Sequence, residues 1–476
     1  MKKAFEWALR KLRAIFTKLG SFIFGSYQSE HTDRNRGQDR LNRAAITGSS
    51  GIIANGITIG VSLISIPIAV NYLGANQYGV WLTISSLLSW LAISDMGFGG
   101  MALVNTLSEA RGCDDYRMAR ELISTSFAGL CAISAILFLM FVLSFPFVPW
   151  SSVFNASEFI TQRELHQAIV IAFILFVLMF PTSILNAVYL GFQEGYYANG
   201  WSIAGSFVSL LAIIMAVVAD GGLSLLIVAI SGSRLAVFGI ALLHLFYVKH
   251  PSIRPDFRMV TGKAFYRLFP LGWKYLFQQL AGVVMFQSQP MLITHYLGPA
   301  YVSIYIIGQK ILSLPLQLVQ FYTFPLIPGY GEAKICGDWR WIWSTLRKSS
   351  LFSGIFVLAT IIPIALLCPI IIEYWVGASL VPSRFFIAFF SCYVFINALV
   401  TPTAVFFTGI EWVGSQAIMA LLNGGVTIVL AVILLPILGL SGMALSMGIG
   451  LLAINGSGQW LLFRFAKRKF VRMQSN

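Results

Sequence analysis

Three cations stand where cations are expensive. Arg234, Lys274 and Lys310 each lie about ten residues inside an apolar stretch, roughly 15 Å deep at about 1.5 Å per helical residue. At that depth a Lys or Arg costs about 2.5–3.5 kcal/mol on insertion scales, so it faces an aqueous cavity or a partner. Asp95 is the one comparably deep acid, which leaves a positive surplus. Such a surplus suits an anionic passenger, because guanidinium and ammonium groups pair with phosphate or carboxylate oxygens as these lose water. The competing reading is a silent buried pair in which Asp95 neutralises one of the three.

A polar stripe accompanies the cations. Lys274, Gln278, Met285 and Gln289 follow one another at helical steps and share one helix face, flanked by Gln279 and Gln287 and continued by Gln309, Gln317 and Gln320. Amides in a bilayer either pair between helices or face a polar cavity. Asp95 opens the run Asp-Met-Gly-Phe-Gly-Gly, residues 95–100. Glycines weaken a helix, so Asp95 reads as a proton- or sodium-coupling candidate or as a capping carboxylate. Pro67 and Pro290 each precede a Tyr-Leu-Gly and read as hinge candidates, with static kinks as the alternative. No paired carboxylates appear, and the five cysteines and five histidines stand scattered without ligand spacing. The sequence therefore predicts no catalytic residue, no metal and no cofactor.

These residues need helices that cross a membrane. Of 476 residues, 57% are hydrophobic and 11% charged, with mean hydropathy +0.79, against about 25% charged in ordinary soluble proteins. A water-soluble enzyme is excluded. About twelve transmembrane helices are predicted, at approximately 46–72, 77–108, 118–143, 166–190, 198–219, 223–247, 266–297, 300–331, 342–367, 384–407, 414–435 and 441–465. A net charge of +14 would suggest nucleic acid in a soluble chain. Here 27 of the 32 cations fall at the ends and in alternate loops, two (Arg163 and Arg384) fall in the opposite loops, and three lie within helices. That asymmetry predicts both termini in the cytoplasm, no nucleic-acid partner and attraction to anionic membrane lipids.

The domain reading follows. Residues 1–24 alternate Phe5, Leu9, Leu12, Phe16, Leu19 and Ile23 with lysines and arginines, the pattern of a basic amphipathic surface helix. Residues 25–43 read as a polar linker, 44–248 as an N-lobe of six helices, 249–265 as a cytoplasmic connector, 266–465 as a C-lobe of six helices and 466–476 as a basic tail. Tyr72-Leu73-Gly74 recurs as Tyr296-Leu297-Gly298. Glu109-Ala110-Arg111 with Asp115 recurs as Glu332-Ala333-Lys334 with Asp338, and Glu194 precedes Gly222 as Glu411 precedes Gly439. Four landmarks in order predict a parallel internal repeat of six helices, an all-α polytopic protein of two lobes around a central cationic cleft.

The stretch Asn71–Ala110, with Leu-Gly-x-x-x-Tyr-Gly-x-Trp followed by Asp-x-Gly-x-Gly, resembles the Wzx-type O-antigen and capsule polysaccharide flippases, the polysaccharide branch of the multidrug/oligosaccharidyl-lipid/polysaccharide exporter superfamily. The resemblance covers roughly residues 44–470. It implies alternating-access transport of an undecaprenyl-pyrophosphate-linked oligosaccharide from the cytoplasmic to the periplasmic leaflet of a bacterial inner membrane, with a polysaccharide polymerase and a chain-length regulator as partners. On that reading Arg234, Lys274 and Lys310 take the diphosphate or acidic sugars. Gln278, Gln289 and Gln317 meet sugar hydroxyls, and Trp273, Tyr275 and Tyr305 lie against sugar rings. An integral-membrane polymerase or glycosyltransferase is the alternative, but it would need a substantial extramembrane loop bearing acids. A drug antiporter of the same superfamily would need an acidic cleft, and a lipid II flippase arginines in the first two helices.

Overall fold

In the computed structural model, residues 34–156, 158–335, 337–410 and 412–459 are described. The predicted surface helix 1–24, residues 25–33 of the predicted linker and the tail 466–476 lie outside the described residues, as do the side chains of Lys274 and Gln278. All regular structure among the described residues is helical, and the chain is an all-α polytopic membrane protein. Nine of its described helices are long and apolar enough to cross a membrane, ten when one bent pair counts as a single span.

Helix α1 runs Arg34–Leu91. It begins inside the stretch whose polarity marks it as linker, because Arg, Gln and Leu form helix readily and no proline intervenes. Its apolar part, Ile46–Asp95, is 50 residues long. Gly74 (φ 75°, ψ 168°) interrupts it, leaving on either side a length near the roughly 20 residues that a crossing needs. The elements that follow are α2 Met101–Gly112, α3 Tyr116–Ser144, α4 Gln162–Met179, α5 Ile184–Gly191, α6 Gly195–Val218, α7 Gly222–Ile227, α8 Ser233–Leu243 and α9 Gly262–Phe286. After them come α10 Ser288–Leu297, α11 Pro299–Leu312, α12 Leu314–Thr323, α13 Leu326–Ile335, α14 Trp339–Val376, α15 Arg384–Gly409, α16 Val413–Leu438 and α17 Leu440–Gly450.

The chain divides into two compact units, one of Met1–Tyr72, Leu91–Pro149 and Gln162–Leu276, the other of Leu73–Trp90, Trp150–Thr161 and Phe277–Asn476. In the first, Leu103, Leu107 and Ala110 recur at helical spacing on α2 and are fully buried with Leu122 of α3 and Val188 of α5. In the second, Phe386, Phe390 and Val394 form the corresponding stripe on α15, and the Tyr305 ring meets both phenylalanines edge-on at 5.9 and 6.3 Å.

The landmark pairs of the sequence carry matching local geometry. Gly298 adopts φ 98°, ψ 166°, close to Gly74, and Gly222 and Gly439 share positive φ at 65° and 59°. Asp115 caps α3 through the Met118 N–H at 2.8 Å, and Asp338 caps α14 through the Trp341 N–H at 3.0 Å.

Among the described residues, three predicted helices are broken. The one expected over 77–108 ends in a 3₁₀ turn, Ala92–Asp95, after which Met96 and Gly97 take positive φ. The one over 266–297 is interrupted at Gln287. The one over 300–331 bends by 48° at Ser313, with Pro315 in the first turn of α12. The paired hinge reading of Pro67 and Pro290 separates: α1 stays helical through Pro67, whereas Pro290 occupies the first turn of α10, where its missing N–H costs little.

The break after Asp95 is seated on α9. A Cβ built on Gly272 would lie 1.9 Å from the Met96 carbonyl oxygen, and one on Gly97 2.8 Å from the Gly272 Cα. Gly272→Ala is therefore expected to destabilise the purified protein by about 1–3 kcal/mol in thermal unfolding. Gly239→Ala, whose Cβ meets nothing within 4 Å, is expected to leave it unchanged or slightly stabilised.

Candidate functional site

In the first unit, Asp95 is the last residue of the 3₁₀ turn at which the predicted helix ends. Its carboxylate accepts the Gly97 N–H at 2.8 Å, and its carbonyl accepts the Phe98 N–H at 2.8 Å, so the residue holds the unwound turn together. That is the capping reading, and its physical reason is the glycine run, which frees backbone donors that need an acceptor. Because Gly97 and Gly272 touch backbone to backbone, Asp95 and Lys274 each stand two residues along the chain from one close contact. Three residues along α9 from that contact comes Tyr275, whose hydroxyl accepts from the Asn105 amide at 2.8 Å.

Arg234 is the second residue of α8, which follows a π turn, Val228–Gly232, inside the apolar span Gly222–Lys249. Its neighbours sort by face at 3.6 residues per turn. Ala236, Ile240 and Leu243 form an exposed apolar stripe, while Phe238 and Ala241, nearly opposite, are half-buried and buried. Arg234 shares the second face and is nevertheless exposed. Among the described residues no ion pair or hydrogen bond engages its side chain. A guanidinium at membrane depth is thus open to a ligand on the side away from the apolar stripe.

The second unit holds the remaining candidates, and it splits them. Gln289 is buried at 1% exposure: its amide donates to the Met285 carbonyl at 2.8 Å, and its oxygen accepts the Tyr305 hydroxyl. Tyr305 is itself fully buried. This pair joins α10 to α11 within the unit's own core. Lys310, in the last turn of α11, and Gln317, on α12, are half-buried on either side of the Ser313 bend.

A polar tier that sequence reading missed lies on α16, which packs against α10. Asn423 and Thr427 of α16 are buried and bonded to each other at 3.3 Å; Gly424 abuts Val284, and Gly450 abuts both polar side chains. Its sequence signal is an Asn-Gly-Gly inside an apolar run, a polar residue beside the small ones that admit a neighbouring helix.

At one end of the first unit, Glu194 gathers cations. His250 Nε2 lies 2.9 Å and Lys249 Nζ 3.9 Å from its carboxylate oxygens. Burial pushes the carboxyl up, but the His250 hydrogen bond and the His250, Lys249 and Arg111 charges outweigh it and hold Glu194 below the usual carboxylate range. In the other unit Lys334, the counterpart of Arg111, donates to the Ile410 carbonyl at 3.0 Å; Glu411, the counterpart of Glu194, lies outside the described residues.

The described helices take the fold of solved multi-pass transporters. An inward-facing multidrug resistance MATE family transporter of the MOP superfamily matches with a TM-score of 0.73 at 13% identity, over 90% of this chain and 99% of that one. A MOP superfamily transporter from Pyrococcus furiosus matches with a TM-score of 0.60 at 14% identity, over 91% and 96%. The family model described as "Polysaccharide biosynthesis protein" matches residues 48–332, and the chain belongs to that family. A Salmonella typhi protein named "Putative O-antigen transporter" is 24% identical over 310 residues, 63% of this chain and 68% of its own length.

A folded-state value below the ordinary one means that Glu194 contributes stability above the unfolded carboxyl pKa of about 4.3 and loses it as pH falls through the folded value. Glu194→Gln is expected to cost about 1–3 kcal/mol at pH 7 by leaving the cations unpaired. In thermal unfolding across pH, that difference should be present above the ordinary carboxyl value and close as pH falls below it.

Proposed function

We propose that the protein is a flippase for an undecaprenyl-pyrophosphate-linked oligosaccharide, an O-antigen or capsule repeat unit. It moves the passenger from the cytoplasmic to the periplasmic leaflet of a bacterial inner membrane by alternating access, with both termini cytoplasmic. The observation that carries this reading is Arg234: an exposed guanidinium at membrane depth, on the face turned away from the apolar stripe, in a chain of the polysaccharide biosynthesis family. The name of the Salmonella typhi relative supports the same class of passenger.

In this reading Arg234, Lys274 and Lys310 take the diphosphate, and Gln278 and Gln317 take sugar hydroxyls. Asp95 couples an ion to the cycle from its place at the unwound turn beside Gly272, where a change in its protonation alters the acceptor that holds the turn. The polymerase and chain-length regulator receive the passenger after it has crossed.

Lys274→Gln combined with Lys310→Gln, and separately Arg234→Gln, is expected to lower polysaccharide export at least tenfold at unchanged protein level, one lost charge-assisted contact being worth about 1.4 kcal/mol or more. Export at the wild-type rate in both variants would remove the reading.

Asp95→Asn tests the coupling. Transfer of a labelled polyprenyl-diphosphate oligosaccharide in liposomes should respond to an imposed pH gradient in the wild type and lose that response in the variant. A variant that still responds eliminates Asp95 as the coupling group.

A further inference from the structure

Helices α14 and α15 of the second unit leave a groove of about 410 Å³ whose walls are almost wholly apolar. Leu351, Ile355 and Leu358 recur at helical steps along α14 and are 55%, 67% and 47% exposed; Leu399 faces them from α15. Gly354 makes the floor, where a Cβ would lie 2.9 Å from the Leu399 Cδ2. The absence of a side chain there opens the slot.

One end of the groove is charged. Arg347 lines it one turn before Leu351, with Ser350 beside it, and Arg340 and Lys348 are exposed nearby on the same helix. Among the described residues no ion pair engages Arg347. Residues Trp339–Phe356 contain no acid, and the preceding Asp338 is occupied in capping the Trp341 N–H. From Arg347 to Leu358 the helix rises roughly 16 Å at about 1.5 Å per residue, half of a hydrocarbon core about 30 Å thick.

We propose that this groove is a binding site for one anionic phospholipid, its phosphate on Arg347 and the Ser350 hydroxyl and one acyl chain along Leu351, Ile355 and Leu358. Charge selects the headgroup, since an unpaired guanidinium at the membrane surface favours a net negative phosphate ester over a zwitterion. Length selects the chain: a slot one leaflet deep fits an acyl tail, whereas the polyprenyl tail of the proposed passenger is longer than one leaflet. The site rests on the orientation given above, which places Arg347 at the cytoplasmic surface.

Native mass spectrometry of the purified full-length protein, titrated with phosphatidylglycerol or phosphatidylethanolamine, tests it. The wild type should retain one phosphatidylglycerol in preference. Arg347→Gln should weaken that retention about tenfold and leave phosphatidylethanolamine unchanged, the loss of one charge-assisted contact, and Arg347→Lys should restore part of it. Leu351→Trp, which narrows the slot, should weaken both lipids. Unchanged phosphatidylglycerol retention in Arg347→Gln overturns the site, as does displacement of phosphatidylglycerol by equimolar polyprenyl phosphate. Because the readout is lipid retention, a protein that binds phosphatidylglycerol through Arg347 yet moves no oligosaccharide would overturn the flippase reading and uphold this site.

Discussion

A helix interrupted at membrane depth leaves backbone donors and acceptors that hydrocarbon cannot satisfy, so each interruption must be met by the protein itself. The turn after Asp95 is the clearest instance. Its Gly97 N–H goes to the Asp95 carboxylate, its Phe98 N–H to the Asp95 carbonyl, and its backbone lies against Gly272 with no room for a side chain. Much of the first unit's site follows from that contact, because α9 carries Trp273, Lys274 and Tyr275 immediately beyond the glycine. The position of a cationic residue is thus set by a backbone contact that contains no charge.

The second unit satisfies the same constraint with side chains. Gln289, Tyr305, Asn423 and Thr427 are buried and bonded. In a bilayer such bonds are worth about 0.6–2 kcal/mol each, and they fix which residues of α9, α10 and α16 stay inside. Small residues make this possible: Gly424 and Gly450 admit the neighbouring side chains at distances that a Cβ would close. The amides that sequence alone offered as ligands are therefore divided by packing into those that hold the helices and those, such as Gln317, left half-buried near the Ser313 bend.

The charges separate into two kinds by the same logic. Glu194 keeps its charge because His250 and Lys249 sit on it, and Arg120 is held by Asp256 at 3.4 Å and the Arg254 carbonyl at 3.0 Å. These groups fasten loops. Arg234 and Arg347 have no such anion among the described residues, and each stands beside an apolar surface, which is where an external anionic ligand gains most from a guanidinium.

The sequence by itself determined the class of fold, since 57% apolar residues in long runs admit only helices in a bilayer, and it located the turns at Gly74, Gly222, Gly298 and Gly439, because only glycine takes those positive φ values cheaply. It also marked Asp115 and Asp338 as a repeated pair, which the structure shows to be helix caps. Tertiary structure decided the rest. Periodicity assigns a residue to a helix face but not to what that face meets, so Gln289 and Tyr305 read as ligands and are core, Asp95 reads as lying within a helix and caps a break, and Pro67 and Pro290 read as a pair and act differently. Whether a buried polar group binds a passenger or a neighbour depends on contacts far apart in sequence, and one chain's spacing carries no record of them.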